Sequence, residues 1–282
     1  MLELHGKAKV MLLDKTHGMA YVEAGSGAAV VFIHGSLCDF RYWKPQLDAM
    51  SGRFRIVTPS LSHYYPQLPS SRREPFTWTA HVQQVTAFLE RLRSQPIHLV
   101  GHSRGACIAY QAALRSPHLA ASLTLVDPGG PNERDAPDGS PPSGDARAVR
   151  ARAVKLIAQG AVDEGLKLFV DSTSRVGFWE RSKPVFQDMA RDNAATLALQ
   201  IADELPIYRE SEANTLRCPV LLLDGARSPA VYRDNADGLH RWIPHSQRAT
   251  IQGASHGLTW SHAATFDTQL SAFLAMAAAQ RG

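Results

Sequence analysis

The chain has 282 residues, 44% of them hydrophobic and 20% charged, with a formal net charge of +4. That balance fits a soluble globular protein of one large domain with an insertion, or of two small domains. No run approaches the roughly 18 apolar residues that a membrane span needs, and the basic residues are scattered apart from Arg72-Arg73 and the stretch from Arg147 to Lys155, which argues against a nucleic-acid-binding face. The first residues, MLELHGK, put a carboxylate and a histidine where a signal peptide needs an apolar stretch. A cytoplasmic protein that engages neither membrane nor nucleic acid is expected. Cys38, Cys107 and Cys218 lie far apart, in no metal-ligand or CxxC spacing. They are read as small buried thiols, and no metal or organic cofactor is implied.

In chain order, 29–33 (AVVFI) is a continuous apolar run, as a strand buried on both faces should be. The runs 55–58 (RIVT), 97–100 (IHLV) and 123–126 (LTLV) are further strands. Between them Val82, Val85, Phe88, Leu89 and Leu92 recur at helical spacing, so 80–93 is an amphipathic helix. Strand and helix in alternation imply a parallel sheet covered on both faces. Residues 128–145 are crowded with Pro, Gly and Asp and read as a loop or linker. From 146 to about 213 only helices are expected. The alternation returns at 219–223 (PVLLL) and 249–251 (ATI), and a final helix covers about 264–279. This predicts an α/β core, 1–130 and 215–282, interrupted by a helical insertion at 131–214.

Three motifs carry chemistry. Gly101-His102-Ser103-Arg104-Gly105 follows the IHLV strand without a gap and opens the helical segment 106–114. Strand, tight turn and helix are the setting of a nucleophile elbow. The sharp turn forces the serine into strained backbone, and side chains at the flanking glycines would collide. Phe32-Ile33-His34-Gly35-Ser36 ends the first strong strand. Acyl transfer develops negative charge on a carbonyl oxygen, and two aimed backbone N–H groups stabilise it. Arg104 supplies one and Ser36 the other, with Leu37 the second choice. The side chain of His34 is read as structural. Gln252-Gly-Ala-Ser-His256-Gly follows the ATI strand, where a general base would sit beside the serine. His262 is the nearby rival.

These features resemble the α/β-hydrolase family over most of the chain. The resemblance implies a mostly parallel central sheet with helices on both faces. It also implies a His-Gly loop after the third strand, a helical cap after the sixth, a serine nucleophile after the fifth and a histidine after the eighth. His34-Gly35, Ser103 and His256 match in that order. Where much of the family carries its acid, after the seventh strand, this chain has Ser228, which supplies no charge. The minority arrangement, with the acid at the end of the sixth strand, is met by Asp127; Asp224 is the runner-up.

The glycine-rich turn of the family is replaced by Pro59-Ser-Leu-Ser-His63-Tyr64-Tyr65-Pro66. His34, Leu37, His102 and Tyr64 are candidates to line a pocket. The Arg104 side chain is expected to meet a substrate carboxylate or one from the cap. The resemblance implies hydrolysis of a small-molecule ester, lactone or similar acyl bond without a cofactor. Carbon–carbon bond hydrolysis, cofactor-free perhydrolysis, hydroxynitrile lyase chemistry and a non-catalytic small-molecule receptor are the alternatives.

Overall fold

The computed structural model describes residues 8–68, 74–92, 97–134 and 144–280. Its elements run β1 (Lys9–Leu12), β2 (Gly18–Ala24), β3 (Ala29–Ile33), a 3-10 turn (Phe40–Trp43), α1 (Lys44–Met50), β4 (Arg55–Pro59), α2 (Trp78–Arg91), β5 (Ile97–His102), α3 (Arg104–Arg115) and β6 (Ala120–Val126). Six helices follow: α4 (Gly144–Ala158), α5 (Val162–Thr173), α6 (Phe178–Arg181), α7 (Pro184–Asp192), α8 (Thr196–Ala202) and α9 (Glu210–Ala213). The chain then closes with β7 (Val220–Gly225), α10 (Ala230–Trp242), β8 (Ser246–Ile251), α11 (Leu258–Ser261) and α12 (Ala263–Ala279).

The strands form one sheet in the order β1-β2-β4-β3-β5-β6-β7-β8. β1 and β2 are antiparallel to their neighbours, and the rest of the sheet is parallel. All five residues of β3 and all seven of β6 are buried, because helices cover both faces of a parallel sheet. Side chains alternate between the two faces. Ala29, Val31 and Ile33 join the core under α2 and α3, while Val30 and Phe32 join the core under α1 and α12. From β3 the chain runs outward to β4 and then back to β5 on the other side. The crevice at this switch of direction, at the carboxyl ends of the strands, is where such sheets take ligands.

The apolar runs read from the sequence are strands, and the helix expected at 80–93 spans 78–91, its N-terminus capped by Thr77 Oγ1 accepting from Ala80 N at 3.0 Å. Two strands went unread. β1 (KVML) is almost wholly exposed, and β2 carries glycine and glutamate, so neither shows a continuous apolar run. The helical expectation for 146–213 holds apart from a single parallel bridge between Asn132 and Tyr208. Of the expected linker at 128–145, residues 135–143 lie outside the described residues, as does Arg72-Arg73. Among the described residues, no helix is long and apolar enough to cross a membrane.

The insertion has its own small core of Ala153, Leu166, Phe169, Val170, Trp179, Ala190, Ala194 and Leu197, into which Leu37 projects from the loop after β3. Polar contacts fasten it to the sheet. Asn193 Nδ2 donates to buried Asp39 at 2.8 Å, Arg41 spans Asp39 and Asp192, and Tyr65 N donates to Asn193 Oδ1 at 2.7 Å.

Candidate active site

Ser103 sits between β5 and α3 with φ 55° and ψ −121°, in the left-handed half of backbone space. The turn is tight enough to require glycine on either side. A Cβ at Gly101 would lie 2.3 Å from the Gly105 carbonyl oxygen, and one at Gly105 would lie 2.3 Å from that of His34. Ser103 N donates to Val126 O at 3.0 Å. The hydroxyl therefore stands at the carboxyl edge of the sheet beside the positive end of a 12-residue helix.

His256 follows β8. Its Nε2 lies 3.0 Å from Ser103 Oγ, and its Nδ1 lies 3.0 Å from Asp127 Oδ2. Asp127 is fully buried. Its backbone N–H extends the sheet ladder to Leu223 O at 2.8 Å, and its φ of 43° then turns the side chain across β7 toward His256. Two further donors hold the carboxylate: Gly225 N at 3.2 Å and Ser228 Oγ at 2.7 Å. Ser228, at the position where much of the family carries an acid, thus donates to the Asp127 carboxylate. Asp224 is elsewhere. It shares a face of β7 with Leu222, and its Oδ1 accepts from Arg248 Nε and Thr250 Oγ1, both at 3.1 Å. His262 bonds the neighbouring Ser261 hydroxyl at 2.9 Å.

His34, Leu37, His102 and Tyr64 divide into two pairs. Leu37 and His102 line the cavity; His34 and Tyr64 do not, which corrects the expectation for them. His34 is fully buried. Its Nδ1 donates to Gly35 O at 2.9 Å and its Nε2 accepts from Leu61 N at 3.0 Å, tying the loops after β3 and β4 together. Burial pushes its pKa down to about 4. Tyr64 packs edge-on against that imidazole at 4.7 Å and accepts from Gln200 Nε2 at 3.2 Å, so it fills the space beneath the loop. Ser36 Oγ donates to Gln200 Oε1 at 2.7 Å, which ties its loop to α8. The Arg104 guanidinium meets the insertion: Nη2 donates to Asp203 Oδ2 at 2.5 Å, both side chains nearly buried.

Two features carried no sequence signal. The ring of Tyr232, on α10, stacks on His256 with centroids 3.9 Å apart and planes 18° apart. Burial pushes its phenol up to about 12, against the opposing influence of Arg150 and a hydrogen bond with Ser103. Gly129 is the other. A Cβ there would crowd Ser103 and stand 3.3 Å from Arg104 N, so glycine keeps that amide approachable. A run of glycines after Asp127 looks like any loop, and a tyrosine in a polar helix looks like surface.

A cavity of about 640 Å³ opens above Ser103 and His256, a size suited to a small organic ligand. Phe169, Val170, Phe178, Phe186 and Leu197 give it apolar walls from the insertion. At its floor a serine hydroxyl, an imidazole and a buried carboxylate stand in series, an arrangement able to activate a hydroxyl for attack on a carbonyl. His102, Asp127 and His256 place potential metal-ligand atoms within 4.8 Å of one another. Both nitrogens of His256 are bonded to Ser103 and Asp127, while His102 Nε2 donates to His256 O at 2.9 Å and its Nδ1 is buried without a hydrogen-bond partner. Cys38, Cys107 and Cys218 are free and buried.

The sheet order, the strained serine between strand and helix and the helices set between β6 and β7 define an α/β hydrolase fold. The chain belongs to that family: the alpha/beta hydrolase family pattern matches residues 30–268. In sequence it is 29% identical over 125 residues to a haloalkane dehalogenase of Mesorhizobium japonicum, covering 43% of this chain and 38% of that one. It is 26% identical over 176 residues to the chloroplastic protein PHYLLO of Arabidopsis thaliana, covering 60% of this chain and 10% of that one. The chain thus spans well under half the length of either relative. In structure it resembles a bromoperoxidase from Bacillus anthracis (TM-score 0.78, 21% identity, 95% of this chain and 99% of that one). It also resembles a thermophilic esterase from Thermogutta terrifontis (TM-score 0.72, 22% identity, 96% and 99%).

Proposed function

We propose that the protein is a serine hydrolase that cleaves a carboxylic ester, lactone or related acyl bond through an acyl-enzyme. The observation that carries this reading is the unbroken series Ser103–His256–Asp127, with both hydrogen bonds at 3.0 Å, on the floor of the cavity. His256 takes the Ser103 proton as Oγ attacks the carbonyl, and Asp127 holds the imidazole tautomer and the charge that forms. The N–H groups of Arg104 and Ser36 receive the oxyanion. His256 then protonates the leaving alcohol, and water repeats the sequence to release the acid. Dehalogenation by direct displacement needs a carboxylate nucleophile, and Ser103 stands in that place.

The test is labelling by a fluorophosphonate together with turnover of p-nitrophenyl esters of graded chain length and a lactone panel. Wild-type protein is expected to label at Ser103 and to hydrolyse at least one ester. Ser103→Ala should lose both, with kcat down by about 10⁴-fold or more and the fold intact. Ester turnover within tenfold of wild type in that variant would remove the assignment.

A further inference from the structure

The cavity wall is asymmetric in charge. Six cations line it against two carboxylates, Asp203 and Glu204. That surplus equals the +4 of the whole chain, so the remainder of the sequence is balanced and the excess is gathered at this opening. Asp203 is already neutralised by Arg104, and Glu204 stands 3.7 Å from Arg147. The other cations are Arg150, Arg175, Arg181 and Lys183. They come from separate pieces of the insertion: Arg150 from α4, Arg175 from the turn after α5, Arg181 from the end of α6 and Lys183 from the residue before α7. Arg147 and Arg150 are three apart on α4 and so share a helix face. Arg181 spends one donor on the Val176 carbonyl. Among the described residues, no carboxylate lies within ion-pairing distance of Arg150, Arg175 or Lys183.

Like charges brought to one opening repel, and the fold gives this cluster few carboxylates of its own. Each of the five is exposed, so a single ion pair there is worth little in water. Several around one mouth, above low-dielectric walls, focus the field and concentrate an anion. Guanidinium forks also match carboxylate and phosphate oxygens in pairs. Ser103 and His256 are buried while Arg147, Arg150, Arg175, Arg181 and Lys183 are exposed, and aromatic and aliphatic side chains line the same cavity.

We infer that the cavity mouth recognises an anionic group, a carboxylate or a phosphate, carried by the ligand at the end remote from the bond presented to Ser103. This deepens the hydrolase reading by naming its substrate class, an ester with an anionic tail, but recognition itself is read without turnover. The probes are three anilides: N-(4-nitrophenyl)glutaramate, its phosphonate counterpart, and N-(4-nitrophenyl)pentanamide as the neutral match. Calorimetry on the full chain in about 50 mM salt is expected to give at least tenfold tighter binding of an anionic probe than of the neutral one. The carboxylate and phosphonate arms tell which anion is preferred. In about 0.5 M salt, where the screening length falls to a few ångströms, the ratio should fall below threefold. Arg150→Gln/Arg175→Gln should also bring it below threefold. Equal binding of charged and neutral probes at low salt overturns the inference, as does a preference that the double variant leaves intact. Fluorophosphonate labelling run beside it separates the two readings: unlabelled protein that still prefers the anion removes the hydrolase, and labelled protein without preference removes the anion site.

Discussion

Asp127 and Asp224 leave neighbouring strands two and one residues from a glycine, yet the backbone treats them differently. Asp127 adopts φ 43° at the end of its strand, which swings the carboxylate to His256. Asp224 keeps extended geometry inside β7, and the alternation of the strand directs it to Arg248 and Thr250. On the proposed mechanism Asp127→Asn is expected to lower kcat by up to about 10⁴-fold, since it keeps the shape and removes the charge. Asp224→Asn should change kcat less than threefold and appear instead as lost stability. The reverse pattern in steady-state kinetics would assign the acid to Asp224. Ser228→Ala removes a single hydrogen bond to the Asp127 carboxylate, worth about 1 kcal/mol, or roughly fivefold in kcat. Ser103 was readable because its motif follows a recognisable strand without a gap, and His256 because it lies in the loop just past another. Asp127 was readable only through the family resemblance, whose minority arrangement puts an acid at the end of the sixth strand, while position 228 carries no charge. Tyr232 was not readable, because its meeting with His256 depends on how α10 packs.

The insertion is held over the sheet by a few buried polar clasps, and the one nearest the site joins Arg104 to Asp203. Asp203 Oδ2 accepts from Arg104 Nη2 at 2.5 Å and from Trp78 N at 2.8 Å, so one carboxylate joins α3, the end of α8 and the start of α2. Removing one partner of a buried pair strands the other charge, which costs roughly 3–5 kcal/mol. Arg104→Met is therefore expected to lower the urea midpoint clearly, and Arg104→Met/Asp203→Asn to recover part of the loss. The N–H of residue 104 survives both changes, so kcat should fall far less than in Ser103→Ala. If stability is untouched while KM rises steeply, the arginine is a substrate contact and the clasp carries no weight. The sequence pointed to helices over 146–213, where no convincing strand run occurs. It offered a cap carboxylate as one of two partners for the Arg104 side chain but could not name Asp203, 99 residues away. The edge strand β1 (KVML) escaped because it is almost wholly exposed, and of β8 (SQRATI) only the last three residues were read, its first half being polar.

At the scale of the whole molecule, the sheet body encloses imidazoles that must stay neutral. Burial holds His34 down to about 4, and it holds His81 and His102 well below the ordinary value. In the unfolded chain each titrates near 6.5. Between about 4 and 6.5 the unfolded state therefore binds more protons, and the free energy of unfolding rises with pH through that window. The stability is fully present above pH 6.5 and is lost as pH falls toward 4. For His34 alone the displacement amounts to ~3 kcal/mol, a large share of a typical domain's stability. Asp267 works in the opposite sense. Burial raises its carboxyl to about 6, so its contribution is present below the unfolded value of 3.8 and is lost as pH rises through 6. That is one partly exposed group against three deeply buried rings, so the histidines should set the slope. His34 also makes the loss local. A proton on Nε2 would face the Leu61 N–H that it now accepts, breaking the tie between the loops after β3 and β4 that holds Ser36 in place. Urea unfolding at pH 7, 6 and 5 is expected to show a midpoint that falls steadily with pH. His34→Gln should be less stable at pH 7, but its midpoint should depend less steeply on pH than that of wild type. A wild-type midpoint that holds level or rises on acidification would show that these rings are not what the acid attacks.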